Sequence, residues 1–178
     1  MTPGEAGAAP DLEVLLVQQA LQELVCRYSR AIDRRDFGQL RRLYLPDAEH
    51  DHGGLFRGDV TAFIAWLEQS PAAMRTHHFV GNALFHVDGE RAEGEIYTIN
   101  YHVLPASADE PARDYIAGGR YLDHYRCQDG RWYFARRQRV IDWRHQRPSA
   151  PGGTGATIVE GSTGADDPSW QLRGLCGG

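Results

Sequence analysis

Two short stretches of the sequence carry residues that could move a proton. Residues 76–84 contain the adjacent histidines His77 and His78, and residues 28–33 end in the carboxylate of Asp33. A neutral imidazole can accept a proton near pH 7, and a buried carboxylate can fix its tautomer and stabilise the imidazolium that forms. The two stretches therefore predict a general-base pair, provided that the fold brings them together.

Helical periodicity predicts how the acid is positioned. Apolar residues recur mostly at spacings of three and four from Leu12 to Ile32, and Asp11 is a plausible N-cap. The resulting helix, over residues 12–33, would point its last turn and Asp33 inward. Two further helices are predicted over residues 38–44 and 59–68, because prolines follow each of them.

From His77 onward the sequence alternates between apolar and polar residues, which is typical of strands. Turn dipeptides, Asp88-Gly89 and Asp129-Gly130, separate the predicted strands 78–87 and 91–104, and 119–127 and 131–140. Three helices followed by long antiparallel strands predict an α+β fold, in which N-terminal helices cover a curved, cone-shaped antiparallel sheet. The interior of the cone would be the ligand cavity.

Length and composition limit the number of domains and the kinds of partner that this chain can have. The 178 residues, 42% of them hydrophobic, suit one domain with a core and a small cavity. We assign it to residues 11–147, after a flexible N-terminus (1–10) and before a Gly/Pro-rich tail (148–178) that could act as a lid. The net charge of −5, without a long basic run, argues against nucleic acid as a partner.

The cysteines and the lack of long apolar stretches indicate the cellular compartment in which the protein is found. Cys26, Cys127 and Cys176 are odd in number and widely spaced, which argues against a disulfide framework or a structural zinc site. Residues 1–10 lack the charged start and apolar run of a signal peptide, and no segment is apolar enough to span a membrane. We expect a soluble, cytoplasmic protein.

Several segments taken together resemble a known family. They are residues 28–36 (YSRAIDRRD), 43–48 (LYLPDA), 76–82 (THHFVGN), 119–123 (GRYLD), 129–132 (DGRW), Arg137, and 142–143 (DW). This set, spread over residues 12–145, resembles the SnoaL-like proteins of the nuclear transport factor 2-like superfamily. The superfamily includes dehydratases, isomerases, cyclases, hydrolases, dioxygenase small subunits and binders without catalysis, so the resemblance implies the fold more specifically than the reaction.

The resemblance also implies which residues form the pair. Family enzymes of the dehydratase type use an aspartate and a histidine, which correspond to Asp33 and His78. We choose His78 over His77 because the family places its histidine four residues before an asparagine, as Asn82 stands here. Strand alternation agrees with this choice, since it puts His78, Val80, Asn82 and Leu84 on one face.

Other residues are candidates for the pocket, each with a structural alternative. Tyr28 stands five residues before Asp33, a separation resembling that of the family's bile-acid dehydratase, and could offer its hydroxyl to a substrate oxygen. Tyr44 could do the same, although core packing explains either tyrosine equally well. His102 would face the cavity if the register puts Ala92 and Gly94 inside, and a slip by one residue would reverse this.

Residues 49–52, Glu-His-Asp-His, form the one segment of the sequence whose residue types could bind a metal ion. Consecutive residues of a strand project to opposite faces, and no third ligand follows at a suitable spacing, so we predict a polar strand end and no metal. The sequence lacks nucleotide-binding and serine-hydrolase motifs, and we expect no cofactor.

These residues predict a cofactor-independent lyase or isomerase. In this hypothesis His78 removes a carbon-bound proton from a hydrophobic cyclic small molecule, Asp33 orients His78, and Tyr28 or Asn82 hydrogen-bonds the oxygen that gains charge. The alternative is a ligand-binding protein without catalysis, or the small subunit of a ring-hydroxylating dioxygenase. We also expect a homo-oligomer, specifically a dimer, because aromatic residues of strands 97–101 and 121–133 would cover the outer face of the sheet.

Overall fold

A computed structural model describes residues 11–149, 159–172 and 174. The helices and strands, in chain order, are α1 (Leu12–Asp33), α2 (Phe37–Arg42), β1 (Tyr44–Asp51), β2 (Arg57–Asp59), α3 (Val60–Glu68), β3 (Arg75–Asp88), β4 (Arg91–Leu104), β5 (Arg113–Gln128) and β6 (Arg131–Pro148). Short 3₁₀ turns occupy Gly53–Leu55 and Pro168–Gln171. The strands form one curved sheet in the order β2-β1-β6-β5-β4-β3, which confirms the predicted α+β fold.

The helices begin within one residue of their predicted starts. Asp11, Asp36 and Asp59 each accept a hydrogen bond from a backbone N–H two or three residues further on, as N-cap residues do. The apolar stripe of α1 is buried, including Leu21, Leu24 and Val25. Because α1 lies mainly against β3, its last turn reaches the start of that strand. Within the described residues, no helix is both long and apolar enough to cross a membrane.

Two tight turns fix the register of the long strands. Gly89, Asp129 and Gly130 all have positive φ angles, as a two-residue hairpin turn requires. The resulting β3–β4 register pairs Thr76 with His102. Ala92 is buried and Asn100 is completely buried, so the register is the one that turns the side chains of Ala92, Asn100 and His102 inward.

The first strand differs from the prediction. Tyr44 was expected to end a helix, but it begins β1, which runs parallel to β6 in an otherwise antiparallel sheet. The long-range pairing of Tyr44 with Phe134 and of His50 with Arg137 outweighs local helix propensity. As a result, β1 carries His50 into the interior.

A β-bulge in β3 changes which side chains face inward. Val80 pairs with Thr98 but Ala83 pairs with Ile96, so β3 has one extra residue in this interval. The next residue of β3 to face inward after Val80 is therefore Ala83. Asn82 and Leu84 are exposed on the outer face of the sheet. The predicted inward placement of Asn82 and Leu84 is wrong, because alternation holds only up to the bulge.

Candidate active site

Asp33 and His78 meet at the junction of α1 and β3. The Nδ1 atom of His78 lies 2.6 Å from Oδ1 of Asp33, and both side chains are largely buried. Asp33 accepts two further hydrogen bonds, from the backbone N–H of His78 at 2.9 Å and from the hydroxyl of Thr76 at 2.8 Å. Three donors therefore hold the carboxylate in one orientation.

These contacts keep Asp33 ionised. Burial alone would raise the pKa of this carboxyl group, but hydrogen bonds from His78 and Thr76 and the charge of His78 outweigh burial and lower the pKa below its usual 3.8. An ionised Asp33 requires a donor on Nδ1 of His78, which leaves Nε2 of a neutral imidazole as the acceptor. Within the described residues Nε2 has no hydrogen-bond partner, so it is available to accept a proton.

His102 and Val80 share the inner face of the sheet with His78. The rings of His78 and His102 meet edge to face, with centroids 5.5 Å apart. Burial, aided by the charges of His78 and Arg139, lowers the pKa of His102 to about 3, so His102 is neutral near pH 7. His102 can therefore exchange hydrogen bonds with a ligand, but it is a poor general base at that pH.

Arg139 of β6 is the unexpected cation of this site. Its side chain is nearly buried, and no aspartate or glutamate in the described part of the chain forms an ion pair with it. Its neutral neighbours are the hydroxyl of Tyr121 at 3.3 Å and the side-chain amide of Asn100. With the amide oriented as its hydrogen-bond partners favour, the oxygen of Asn100 accepts from the guanidinium. A buried guanidinium without a carboxylate is a favourable partner for a ligand oxygen that carries or gains negative charge.

Tyr28 was predicted to offer its hydroxyl to a substrate oxygen, but it is buried in the core. It is 1% exposed and packs edge to face against Tyr121 and Phe134. The guanidinium of Arg137 lies 4.0 Å from the centre of its ring and is bound to Asp123 by two hydrogen bonds of 2.8 and 2.6 Å. Tyr28 is therefore part of the core around a buried Arg–Asp pair, which agrees with the structural alternative.

Tyr44 is also buried, and it bonds to another residue of its own strand. Its hydroxyl lies 3.0 Å from Nδ1 of His50, and Nε2 of His50 lies 3.2 Å from Nδ1 of His52. Tyr44 is therefore linked to His52 by two successive hydrogen bonds through His50. His50 and His52 lie on one strand face, but no group of three or more His, Cys, Asp or Glu side chains in the described ranges is arranged to hold a metal ion.

Asn82 lines a different depression on the outer side of the sheet. That depression, of about 390 Å³, is bounded by Asn82, Phe79, Tyr97 and Trp143 among others. It does not include Asp33 or His78. The bulge thus removes Asn82 from the group of residues around the candidate base.

A groove beside Asp33 and His78 is partly covered by the C-terminal segment. The groove has a volume of about 450 Å³, and its lining includes Cys26, Asp33, His78 and Ser169. The segment 159–172 reaches this place because Arg34 donates a 2.7 Å hydrogen bond to the carbonyl of Ser162. Residues 150–158, including Ile158, and the C-terminal Leu175 lie outside the described residues.

The sequence places the chain in a family. A model of the SnoaL-like domain matches residues 13–138, most of the chain. The chain belongs to the SnoaL-like domain family. Uncharacterized proteins of Mycobacterium tuberculosis and Mycobacterium bovis are 32% identical to it over 121 residues, covering 66% of this chain and 80% of theirs.

Solved structures share the fold of this SnoaL-like protein. A hexachlorocyclohexane dehydrochlorinase of Novosphingobium barchaimii superposes with a TM-score of 0.70 at 18% identity, over 80% of this chain and all of that one. A candidate scytalone dehydratase of Novosphingobium aromaticivorans gives 0.65 at 19%, covering 83% and 97%. The beta subunit of a candidate aromatic-ring-hydroxylating dioxygenase from the same organism gives 0.60 at 18%, covering 74% and 92%. At these identities the similarity establishes the fold alone.

Sequence reasoning missed two residues of this SnoaL-like site, Arg139 and His52. Arg139 stands two positions after Arg137, so strand alternation could have placed both on the inner face. His52 was considered only as a metal ligand. Nothing local in the sequence reveals that it lies close enough to Arg139, His78 and His102 for their charges to affect its pKa.

Proposed function

We propose that this protein is a cofactor-independent lyase or isomerase that removes a carbon-bound proton from a small, hydrophobic, cyclic substrate. The observation that carries the proposal is the 2.6 Å contact between Asp33 and His78, with the Asp33 carboxylate bound by three donors. Such a pair suits a base that must be neutral before the reaction and cationic after it. The dehydrochlorinase and the candidate dehydratase with this fold support the same class of reaction.

In the proposed reaction Nε2 of His78 takes a proton from a carbon next to a carbonyl group. The electrons of the broken C–H bond move to the carbonyl oxygen, and Arg139 supplies a positive charge for this oxygen. The imidazolium of His78, stabilised by Asp33, then returns the proton. Protonation of a different carbon gives an isomer, whereas protonation of a departing hydroxyl group releases water and completes a dehydration.

Apolar side chains next to these polar groups support a hydrophobic substrate. Val80 lies on the same strand face as His78, and the ring of Trp66 is 5.9 Å from the ring of His52. The surroundings of His78 also include polar groups, because His102 and Asn100 adjoin it and Asn100 bonds to Arg139. A ring-containing molecule with at least one carbonyl oxygen suits this mixture.

The test is exchange of solvent deuterium into a panel of cyclic ketones, followed by mass spectrometry. His78→Asn is preferable to His78→Ala, because an asparagine amide can still donate to the buried Asp33 while lacking a base. We expect His78→Asn and Asp33→Asn to lower the exchange rate by about a hundredfold or more. The matched control is His86→Asn, an exposed histidine of the same strand, which should exchange like the wild type; full activity of His78→Asn would refute the proposal.

A second candidate function is a subunit or ligand-binding role without catalysis. It is favoured by the outer face of the sheet, where Phe79, Leu84 and Ile99 are about half exposed or more, as on a surface that a partner covers. Purification of the natural protein together with a larger iron–sulfur protein, combined with no deuterium exchange, would favour this role over the enzyme.

We also propose that copies of this chain associate through that face as a dimer. The aromatic residues that support association are only partly those expected, because Tyr97 is exposed as expected but Trp143 takes the place of the tyrosines of strand 121–133. Tyr121 and Tyr125 point into the core, whereas Tyr97 and Trp143 are exposed on the outer face. An apolar face of this kind is more stable when buried against a second copy.

A further inference from the structure

Three side chains of β1 and its extension form a hydrogen-bonded line from the core to the candidate active site. Tyr44 and His50 are 4% and 0% exposed, and their hydrogen bond of 3.0 Å is followed by the 3.2 Å contact from His50 to His52. The ring of His50 also stacks on Phe63, with centroids 3.5 Å apart. Packing and hydrogen bonds thus hold both imidazoles in fixed orientations.

All three groups are uncharged near pH 7. Burial lowers the pKa of His50 well below its usual 6.5, and burial with the charge of Arg139 lowers the pKa of His52 to about 3. Burial likewise raises the pKa of the Tyr44 hydroxyl well above 10. Each imidazole therefore carries one N–H, and Tyr44 keeps its hydrogen.

Two arrangements of these hydrogens are compatible with the contacts, and one of them leaves a buried donor without an acceptor. If His50 donated to Tyr44, the tyrosine hydrogen would have no acceptor among the described residues. A buried donor without an acceptor is destabilising, so this arrangement is disfavoured. If Tyr44 instead donates to Nδ1 of His50, then Nε2–H of His50 donates to Nδ1 of His52 and every buried hydrogen is used.

The favoured arrangement leaves an N–H on Nε2 of His52. Within the described residues this Nε2 has no hydrogen-bond partner. His52 is only partly buried. Because Asp51 pairs with Gln138 in the parallel register of β1 and β6, His52 comes next, at the level of Arg139. Arg139 and His78 are close enough to influence the pKa of His52. A neutral donor with a fixed tautomer therefore lies near the guanidinium of Arg139, which has no carboxylate partner in the described residues, and within electrostatic reach of His78.

We propose that His52 is a catalytic residue that donates its Nε2–H to the substrate oxygen gaining negative charge as His78 removes the proton. Tyr44 and His50 are then positioning residues that hold His52 in this tautomer. The inference rests on the proposed function and deepens it, because it assigns a second group, besides Arg139, that binds the carbonyl oxygen of a substrate such as a cyclic ketone or enone. A neutral imidazole can fill this role because it donates without first being protonated.

The tautomer is tested in the unliganded protein by ¹⁵N–¹H correlation spectra of histidine-labelled samples near pH 7. We expect His52 to carry its proton on Nε2 in the wild type, and Tyr44→Phe to give a mixture of tautomers. His52 protonated on Nδ1, or a tautomer that Tyr44→Phe does not change, would overturn the proposal. This measurement requires no substrate and is independent of proton abstraction.

The donor role is tested with 4-nitrophenolate, whose phenolate oxygen resembles an enolate, by absorbance titration. His52→Phe should weaken binding by about tenfold or more, as expected when a hydrogen bond to a charged oxygen is lost. His52→Gln, which keeps an N–H donor, should bind with intermediate affinity. Equal affinity of His52→Phe and the wild type, or no binding to the wild type at millimolar concentration, would overturn the proposal.

The variants separate this inference from the proposed function. His78→Asn should lose deuterium exchange because it lacks the base, whereas the exposed control His86→Asn should keep both exchange and affinity for 4-nitrophenolate. If His78→Asn exchanges like the wild type, the proposed function fails. If His78→Asn loses exchange but His52→Phe keeps full exchange and affinity, only the role of His52 fails.

Discussion

Lowering the pH from about 7.5 to about 5 is expected to destabilise the protein by about 4 kcal/mol through two inner histidines. His52 and His102 have pKa values of about 3 in the folded protein, against 6.5 for an unperturbed histidine. Below pH 6.5 the unfolded chain therefore binds more protons than the folded one. The stability that depends on these neutral imidazoles is fully present above pH 6.5 and is lost as the pH falls toward 3.

The magnitude follows from the pKa difference. Each histidine contributes about 1.4 kcal/mol per pH unit below 6.5, which gives about 2 kcal/mol by pH 5. His50, whose pKa is also lowered by burial, acts in the same direction. A loss of this size is a large part of the 5–15 kcal/mol that stabilises a typical domain.

Urea unfolding followed by circular dichroism at the two pH values measures this effect. His102 forms no hydrogen bond within the described residues, so His102→Gln removes the titrating ring with little other loss. The free energy of unfolding of His102→Gln should vary about 2 kcal/mol less between the two pH values than that of the wild type. The control, His86→Gln, exchanges an exposed histidine and should match the wild type. A pH dependence unchanged in His102→Gln, or an NMR titration of His102 with its midpoint near 6.5, would refute the reasoning.

Two further predictions concern the C-terminal segment and association. Truncation after Pro148 should leave a folded protein with weaker 4-nitrophenolate binding, because Ser169 lines the groove beside Asp33 and Arg30 lies over the ring of Trp170 at 5.0 Å. A truncated chain that fails to fold would make the segment part of the core, and unchanged affinity would exclude a lid. Sedimentation at micromolar concentration should give a dimer, since the outer face exposes apolar side chains. A clean monomer of the 19.9 kDa chain would contradict this prediction.

Local chemistry in the sequence determined the elements and the central pair. Periodicity and an N-cap aspartate predicted α1 to within a residue, and the dipeptides Asp88-Gly89 and Asp129-Gly130 marked both hairpins. The resemblance selected Asp33 and His78, which lie within hydrogen-bond distance of each other. These features depend on residues close in sequence, or on the resemblance of short segments to a known family.

Tertiary structure decided the rest of the site. One extra residue between Val80 and Ala83 reversed the face of β3 and moved Asn82 outward, which no alternation pattern reveals because a bulge is a mismatch between two strands. The parallel pairing of β1 with β6 carried His50 and His52 inward, and burial then set their protonation. Arg139 became a candidate for binding a substrate oxygen only because no carboxylate came within reach of it in the described fold. Charge and hydrogen-bond partners depend on which distant residues pack together, and only the folded chain determines that packing.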